Sequence, residues 1–374
     1  MKRIFSLIVC WFVAAMAFAE TAGNQQDLAV AWANAGAAYL EKGRFAEADD
    51  ALHRALELRV PPKESGDLFE VRVLNNLAVS YKSRAMFKQA EATYTRAMNL
   101  LKDAGSGDGE DALILRNNVA EMYRQQGQLA KAEKLLRESL ALREKALGAR
   151  HPKVADLLNN LAEVLRAQGK LDLAESYHKQ ALSIREQAFG DGDAKVGNSL
   201  HNLASLLAAR GRYREAEDCY RRALVILSKT LGRNHPQVAA TLNNIGAIYR
   251  EQRDFQSAER TYRDALEIWK ASFGTAHPYV ASATNNLAAI YSDQGRFAEA
   301  EPLYQEALRI WEQAGVAGSP DMAQCLSNYA GLLKKTARKK PAAQMEARAR
   351  TMLSEREMET NAARFSVNLR DLSK

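Results

Sequence analysis

One 42-residue pattern recurs eight times in strict register from Ala33 to Ala349, without an insertion or deletion. Two series show it most plainly. The first is Asn34, Asn76, Asn118, Asn160, Asn202, Asn244, Asn286 and Asn328; the second is Ala48, Ala90, Ala132, Ala174, Ala216, Ala258, Ala300 and Ala342. A fixed period of this length belongs to stacked arrays in which no unit buries its apolar face alone and each leans on its neighbours. The chain is therefore expected to be an all-α repeat solenoid, and its function must be sought on the surface of the array.

Each repeat is numbered so that the invariant Asn is its sixth residue. In the copy beginning at Val238, positions 4, 7, 8 and 11 are Leu242, Ile245, Gly246 and Tyr249, the 3.6-period stripe of a buried helix face. This first helix ends at a Gly-Arg/Lys-aromatic turn, as in Gly211-Arg212-Tyr213 and Gly295-Arg296-Phe297, where glycine accepts the left-handed conformation that stops a helix. A second helix follows, with Ala at position 20, Ala or Ser at 27, and Leu or Ile at 30 (Leu142, Ile184, Ile226). Small residues there let two helices approach closely. The link to the next repeat is Leu147-Gly148 and His151-Pro152, then Leu231-Gly232 and His235-Pro236, then Phe273-Gly274 and His277-Pro278. Proline suits the first helical turn because the amide proton it lacks would have no intrahelical partner there. The three histidines recur at a cap position, which marks them as turn-formers and not ligands.

These residues resemble the tetratricopeptide repeat, in the longer 42-residue form found in kinesin light chains. The likeness is carried by Asn285-Asn286-Leu287-Ala288-Ala289-Ile290-Tyr291, then Gln294-Gly295-Arg296-Phe297-Ala298-Glu299-Ala300-Glu301-Pro302-Leu303-Tyr304, then Ala307-Leu308-Arg309-Ile310. The ordinary form has 34 residues, so eight more supply about two further helical turns. The resemblance implies a right-handed superhelical solenoid of about eight helix-turn-helix repeats over residues 29–364, the last a degenerate cap. It also implies a concave groove for extended peptides, lined by positions 2, 5, 9 and 12 of the first helices; a helical wheel places those positions opposite the apolar stripe. No heptad segment like that of a kinesin light chain is read ahead of the repeats, where an export signal is expected instead.

That signal comprises Lys2 and Arg3, a run of fifteen mostly apolar residues from Ile4 to Phe18, and Ala17-Phe18-Ala19 before Glu20. It reads as a cleavable segment over residues 1–19, too short for a spanning helix of about 20 apolar residues, followed by a short leader over 20–28. The expected location is periplasmic or secreted, without stable membrane insertion. Cys10 leaves with the signal. Cys219 and Cys325 stand two and a half repeats apart, beyond the roughly 7 Å between Cα atoms that a disulfide tolerates, and neither has a metal-ligand-spaced partner. The formal charge of +7 sits at the ends: residues 334–374 hold eleven Lys/Arg against five Asp/Glu, and the body from 20 to 333 is close to neutral. A nucleic-acid binder needs basic residues along its tracking surface, so none is expected to bind. Residues 365–374 read as a loosely ordered basic tail.

Position 6 is Asn in every copy, which suits a scaffold side chain buried at the repeat junction and satisfying backbone groups. Position 5 reads Ala33, Asn75, Asn117, Asn159, His201, Asn243, Asn285, Ser327, and its amides could pair with a bound peptide backbone or simply form a solvated polar face. Position 12 adds Lys82, Arg124, Arg166 and Arg250. The groove residues proposed from sequence are therefore Asn75, Lys82, Asn117, Arg124, Asn159, Arg166, His201, Asn243, Arg250 and Asn285, with the first six as the densest segment. Guanidinium groups suit a peptide with acidic side chains or a free carboxyl end. Glu121 and Glu163, three residues before Arg124 and Arg166, could instead pair with them along the helix. Trp269 and Trp311 share one position in adjacent second helices and are read as stacking within the scaffold.

No phosphate loop, nucleophile-base pair or carboxylate pair stands outside the repeat grammar. The expected function is a non-catalytic interaction scaffold for a protein or peptide, without cofactor or metal. The alternative is a regulatory or accessory subunit of a separate enzyme complex.

Overall fold

A computed structural model describes residues 25–58, 68–316 and 319–353. The expected export signal over residues 1–19, Cys10 within it, and the chain beyond residue 353 lie outside the described residues. First helices of the repeats are α1 (Gln25–Glu41), α3 (Phe69–Ser83), α5 (Glu110–Gln125), α7 (Pro152–Ala167), α9 (Ala194–Ala209), α11 (Pro236–Glu251), α13 (Pro278–Asp293) and α15 (Pro320–Lys335). Second helices are α2 (Phe45–Glu57), α4 (Phe87–Asp103), α6 (Leu129–Leu147), α8 (Leu171–Phe189), α10 (Tyr213–Leu231), α12 (Phe255–Phe273) and α14 (Phe297–Gln313). The last of them, α16, covers described residues 339–353.

Two compact units divide the chain. The first is Met1–Asn118 with Ala314–Val316, and the second is Val119–Gln313 with Ala317–Lys374. In the first unit α1 pairs with α2, α3 pairs with α4, and α2 packs on α3. In the second unit α7 pairs with α8, α9 with α10, α11 with α12 and α13 with α14, and each second helix from α6 to α14 packs on the first helix of the following pair.

The small positions explain how closely these helices approach. All eight alanines at position 20 are fully buried, and so are Ser139, Ala181, Ala223, Ala265 and Ala307 at position 27. Position 8 is Gly or Ala and faces a large residue at position 24. A Cβ on Gly246 would stand 2.9 Å from the Tyr262 ring. Ala120 meets Leu136, and Ala204 meets Tyr220, in the same way within their buried clusters.

Each described intra-repeat turn is closed by two backbone bonds. The residue-16 amide reaches the carbonyl of residue 11 and the residue-15 amide reaches that of residue 12, as in Arg212 to Leu207 at 3.0 Å and Gly211 to Ala208 at 2.9 Å. This is a Schellman closure, which needs a left-handed residue at position 15. Glycine supplies it at Gly43, Gly127, Gly169, Gly211 and Gly295. At the other three turns Ala85, Arg253 and Ala337 are driven to φ of 60°, 62° and 59°. The long inter-repeat links end in caps. The Nδ1 atoms of His151, His235 and His277 accept from the amides of Lys153, Gln237 and Tyr279 at 3.2, 3.2 and 3.1 Å, ahead of a proline in each case. Asp193 and Ser319 cap α9 and α15 likewise.

A side chain in the left-handed region costs roughly 1 to 2 kcal/mol that glycine does not incur. Ala85→Gly and Arg253→Gly should therefore each raise stability by about 1 kcal/mol in urea unfolding, while Gly211→Ala lowers it by a similar amount. A lower midpoint for both glycine variants would show that these turns are not where the strain lies.

Candidate functional site

At four junctions the sixth residue of one first helix is joined by its side-chain amide to the fifth residue of the first helix before it. In the second unit Asn328 Nδ2 donates to Asn285 Oδ1 at 3.4 Å, and Asn286 Nδ2 donates to Asn243 Oδ1 at 2.9 Å. Within each helix the fifth residue turns its own amide toward the sixth: Asn285 Nδ2 to Asn286 Oδ1 at 3.5 Å and Asn243 Nδ2 to Asn244 Oδ1 at 3.4 Å. Asn244 Nδ2 then reaches His201 Nε2 at 3.2 Å and the Tyr220 hydroxyl at 3.1 Å. The result is one relay of donors running from α15 to α9. In the first unit the same bond joins Asn118 Nδ2 to Asn75 Oδ1 at 2.7 Å.

This changes the reading of both asparagine series. At Asn118, Asn244, Asn286 and Asn328 the sixth residue satisfies a side chain of the preceding repeat, not backbone groups. It is also the more open of the two, with Asn34 and Asn160 exposed and the other six intermediate. The fifth residue is at least half-buried at Asn75, Asn117 and Asn243 and fully buried at Asn159 and Asn285. The cause is geometric. A wheel fixes a side chain relative to its own helix, but the neighbouring first helix comes close enough to cover position 5.

His201 sits at the end of the relay. The Thr241 hydroxyl donates to Gln237 O at 2.9 Å, so it accepts from His201 Nδ1 at 3.1 Å and leaves Nε2 to accept from Asn244. That is the neutral Nδ1–H tautomer. Burial agrees with it, lowering the His201 pKa to about 4. His277, buried and capping α13, is lowered to about 4 by the same cause.

Asn159 departs from the relay. It lies between Ser199 Oγ at 3.4 Å and His178 Nδ1 at 2.8 Å, and His178 stands where Tyr94, Tyr220, Tyr262 and Tyr304 stand in other repeats. His178 Nε2 is 3.4 Å from Glu163, which Arg166 holds at 2.7 Å. Burial opposes ionisation of Glu163, but the His178 contact and the Arg166 guanidinium outweigh it and hold the carboxyl at about 2.

The position-12 cations largely have partners within the chain. Arg124 is bonded to Glu121 through Nε and Nη2, both at 2.7 Å, and Arg166 to Glu163 likewise at 3.0 and 2.7 Å. Arg250 Nε donates to Asp293 at 2.7 Å across to the next first helix. Lys82 lies half-buried in the last turn of α3.

One recess gathers sequence-proposed residues in the second unit. It holds about 360 Å³ and is floored by positions 2, 5 and 6 of α11 and α13, namely Ala240, Asn243, Asn244, Ser282, Asn285 and Asn286. Its walls are Asp321 and Gln324 of α15, Tyr279, and the edges of Trp269 and Trp311 from the second helices α12 and α14. The two tryptophans do not stack on one another. Trp269 stacks on Tyr279 at 5.3 Å between centroids and 25° between planes, and its Nε1 donates to Pro236 O at 3.3 Å.

A second ladder is signalled in the sequence by a repeated glutamate. Position 21, beside the invariant alanine, is Glu133, Glu175, Glu217, Glu259 and Glu301. Each accepts from the next repeat: Glu133 from Gln168 at 2.8 Å, Glu175 from Arg212 at 2.7 Å, Glu217 from Tyr249 at 3.3 Å, Glu259 from Tyr291 at 2.9 Å, and Glu301 from Arg338 at 2.8 Å. The basic residue of the Gly-Arg/Lys-aromatic turn is thus an inter-repeat tie.

Paired helices at a fixed period, tied along both faces and leaving a lined recess on the first helices, define a helical-repeat interaction scaffold. The tetratricopeptide repeat signature matches residues 27–103, 111–187, 195–271 and 279–355, each stretch spanning two repeats, and the chain belongs to the tetratricopeptide repeat family. Among solved structures, a Rap protein complexed with competence and sporulation factor shares the fold, with a TM-score of 0.60 over 90% of this chain and 99% of that one at 14% identity. BtubC (BKLC) from P. vanneervenii is 24% identical over 62% of this chain and 91% of its own, with a TM-score of 0.49. A Podosopora anserina putative kinesin light chain with nearly identical TPR-like repeats is 25% identical over 54% and 96%, with a TM-score of 0.44. No curated protein matches the sequence.

Breaking the relay should be costly. Asn118→Ala and Asn286→Ala each strand a partner amide and should lower stability by roughly 1 to 3 kcal/mol, whereas Asn34→Ala, exposed in the first repeat, should cost under about 0.5 kcal/mol; equal effects at all three would refute the relay. The histidines set a pH window. Because His201 and His277 have folded values near 4 against an ordinary 6.5, the unfolded chain binds more protons between those limits. Stability should therefore rise with pH from about 4 to about 6.5 and fall in the other direction. His201→Asn, the residue other repeats place there, should flatten that slope, and an unchanged slope would remove His201 as its source.

Proposed function

We propose that the chain is a non-catalytic scaffold that holds an extended segment of a partner protein against positions 2 and 5 of its first helices, on the extracytoplasmic side after removal of residues 1–19. The recess of about 360 Å³ carries this reading. It lies on the face expected from sequence to meet a partner, and it combines amides able to pair with a peptide backbone with aromatic walls able to bury a side chain. Family membership supports it, since tetratricopeptide arrays are interaction modules. The solved Rap relative is itself complexed with competence and sporulation factor.

An acidic segment or a free carboxyl end at Arg124, Arg166 or Arg250 would have to displace Glu121, Glu163 or Asp293, which already occupy those cations. The observations therefore favour the recess over the position-12 row as the anchoring point. Of the groove residues proposed from sequence, Asn243 and Asn285 line it.

Selection from a displayed random-peptide library tests the reading. Peptides that bind the purified protein should lose at least roughly tenfold in affinity on Ser282→Arg, which fills the recess. They should be indifferent to Val225→Arg on the exposed side of α10, where Val225 is 68% exposed. Failure to select any binder, or the reverse ranking of the two variants, would sink the scaffold reading. Amino-terminal sequencing of the protein recovered from its own cells should begin at Glu20; an uncleaved Met1 would remove the extracytoplasmic assignment.

A further inference from the structure

Resting on the scaffold reading above, we propose that the recess between α11, α13 and α15 is a subsite for an arginine side chain of the bound segment. Three observations converge on a flat cation. Tyr279 stacks on Trp269, has the His277 and Phe273 rings tilted beside it at 4.9 and 5.9 Å, and is nonetheless 51% exposed, which leaves ring surface for a planar group. Asp321 is the one carboxylate among the lining residues, and no lysine or arginine lines the recess beside it. The remaining polar lining includes amides and a hydroxyl from Asn243, Asn244, Asn285, Asn286, Gln324 and Ser282, whose oxygens can accept from a guanidinium with five donors.

The carboxylate decides the sign of the ligand. Asp321 is open to solvent, yet the surrounding walls raise its pKa above the ordinary aspartate range, with the Ser282 hydroxyl working the other way. A carboxyl group brought into the same space would meet like charge at reduced screening. A guanidinium would pair with the carboxylate, favouring its ionised form, and stack on Tyr279 at the same time. An aspartate in the first turn of α15 also complements the helix dipole. That role alone predicts a small stability effect on Asp321→Asn and no effect on ligand choice.

The probe is a blocked heptapeptide, Ser-Gly-Ser-Xaa-Ser-Gly-Ser, with arginine, glutamate or norleucine at the centre, titrated into the purified protein and followed by indole fluorescence and calorimetry. The arginine peptide should bind at least about tenfold more tightly than the other two. Asp321→Asn should erase most of that preference with little change in melting, and Tyr279→Leu should weaken the arginine peptide selectively. Equal binding of the glutamate peptide, an arginine preference that survives Asp321→Asn, or no binding of the arginine peptide would each overturn the subsite. Library peptides that are blocked by Ser282→Arg but carry no basic residue would also overturn it while leaving the scaffold reading intact; absence of any selected peptide would remove both.

Discussion

The amide bond between neighbouring first helices is the constraint on which the rest depends. Asn286 reaches back to Asn243, and Asn328 reaches back to Asn285, so α13, like α11, acts as donor to one neighbouring first helix and acceptor to the other. Adjacent helical residues point about 100° apart, which is why two consecutive asparagines can serve neighbours on opposite sides. The packing beneath is apolar and tolerant: alanines at positions 20 and 27 allow close approach but do not fix a register. The amides do, because an unpaired buried amide costs more than a slightly worse van der Waals fit.

Periodicity made the elements legible. The glycines, the His-Pro links and the invariant alanines marked where helices stop, start and touch, and the helices follow those marks. What a period cannot reveal is the partner of a repeated side chain. Asn118 repeats everywhere because it bonds Asn75, not because it is the deeper residue. Asn285 is 8% exposed because the neighbouring repeat covers much of it, although it also lines the recess. The glutamates at position 21 were visible in the same way as the asparagines. A lone Glu on a helix reads as solvated, and only the adjacent turn shows why Glu175 stands at 10% side-chain exposure between Arg210 and Arg212. The Arg124–Glu121 and Arg166–Glu163 pairs, by contrast, could be foreseen from spacing three residues apart.

The recess forms where the repeat pattern carries unusual aromatic residues. Tyr279 follows a capping histidine at a place where other repeats carry Lys153 or Gln237, and Trp269 and Trp311 occupy positions that other repeats fill with smaller groups. These substitutions change nothing in the helix ends or ties around them. They leave aromatic walls around a floor of asparagines that the relay has already fixed in place. A site assembled this way is preorganised, because the floor amides are oriented by scaffold bonds before any ligand arrives.

The direction of the relay has a consequence for how such a chain can change length. The repeats of α11 and α13 each bring one group to give and one to receive, so a whole unit of that kind added or removed leaves its neighbours matched. A single inserted residue within a first helix would turn the sixth position by about 100° relative to the fifth of the repeat before it and break the sequence of bonds at that point. The array is in this sense quantised. Its binding face can lengthen or shorten only in steps of one repeat, and specificity is free to vary by exchanging side chains inside a step whose frame is fixed.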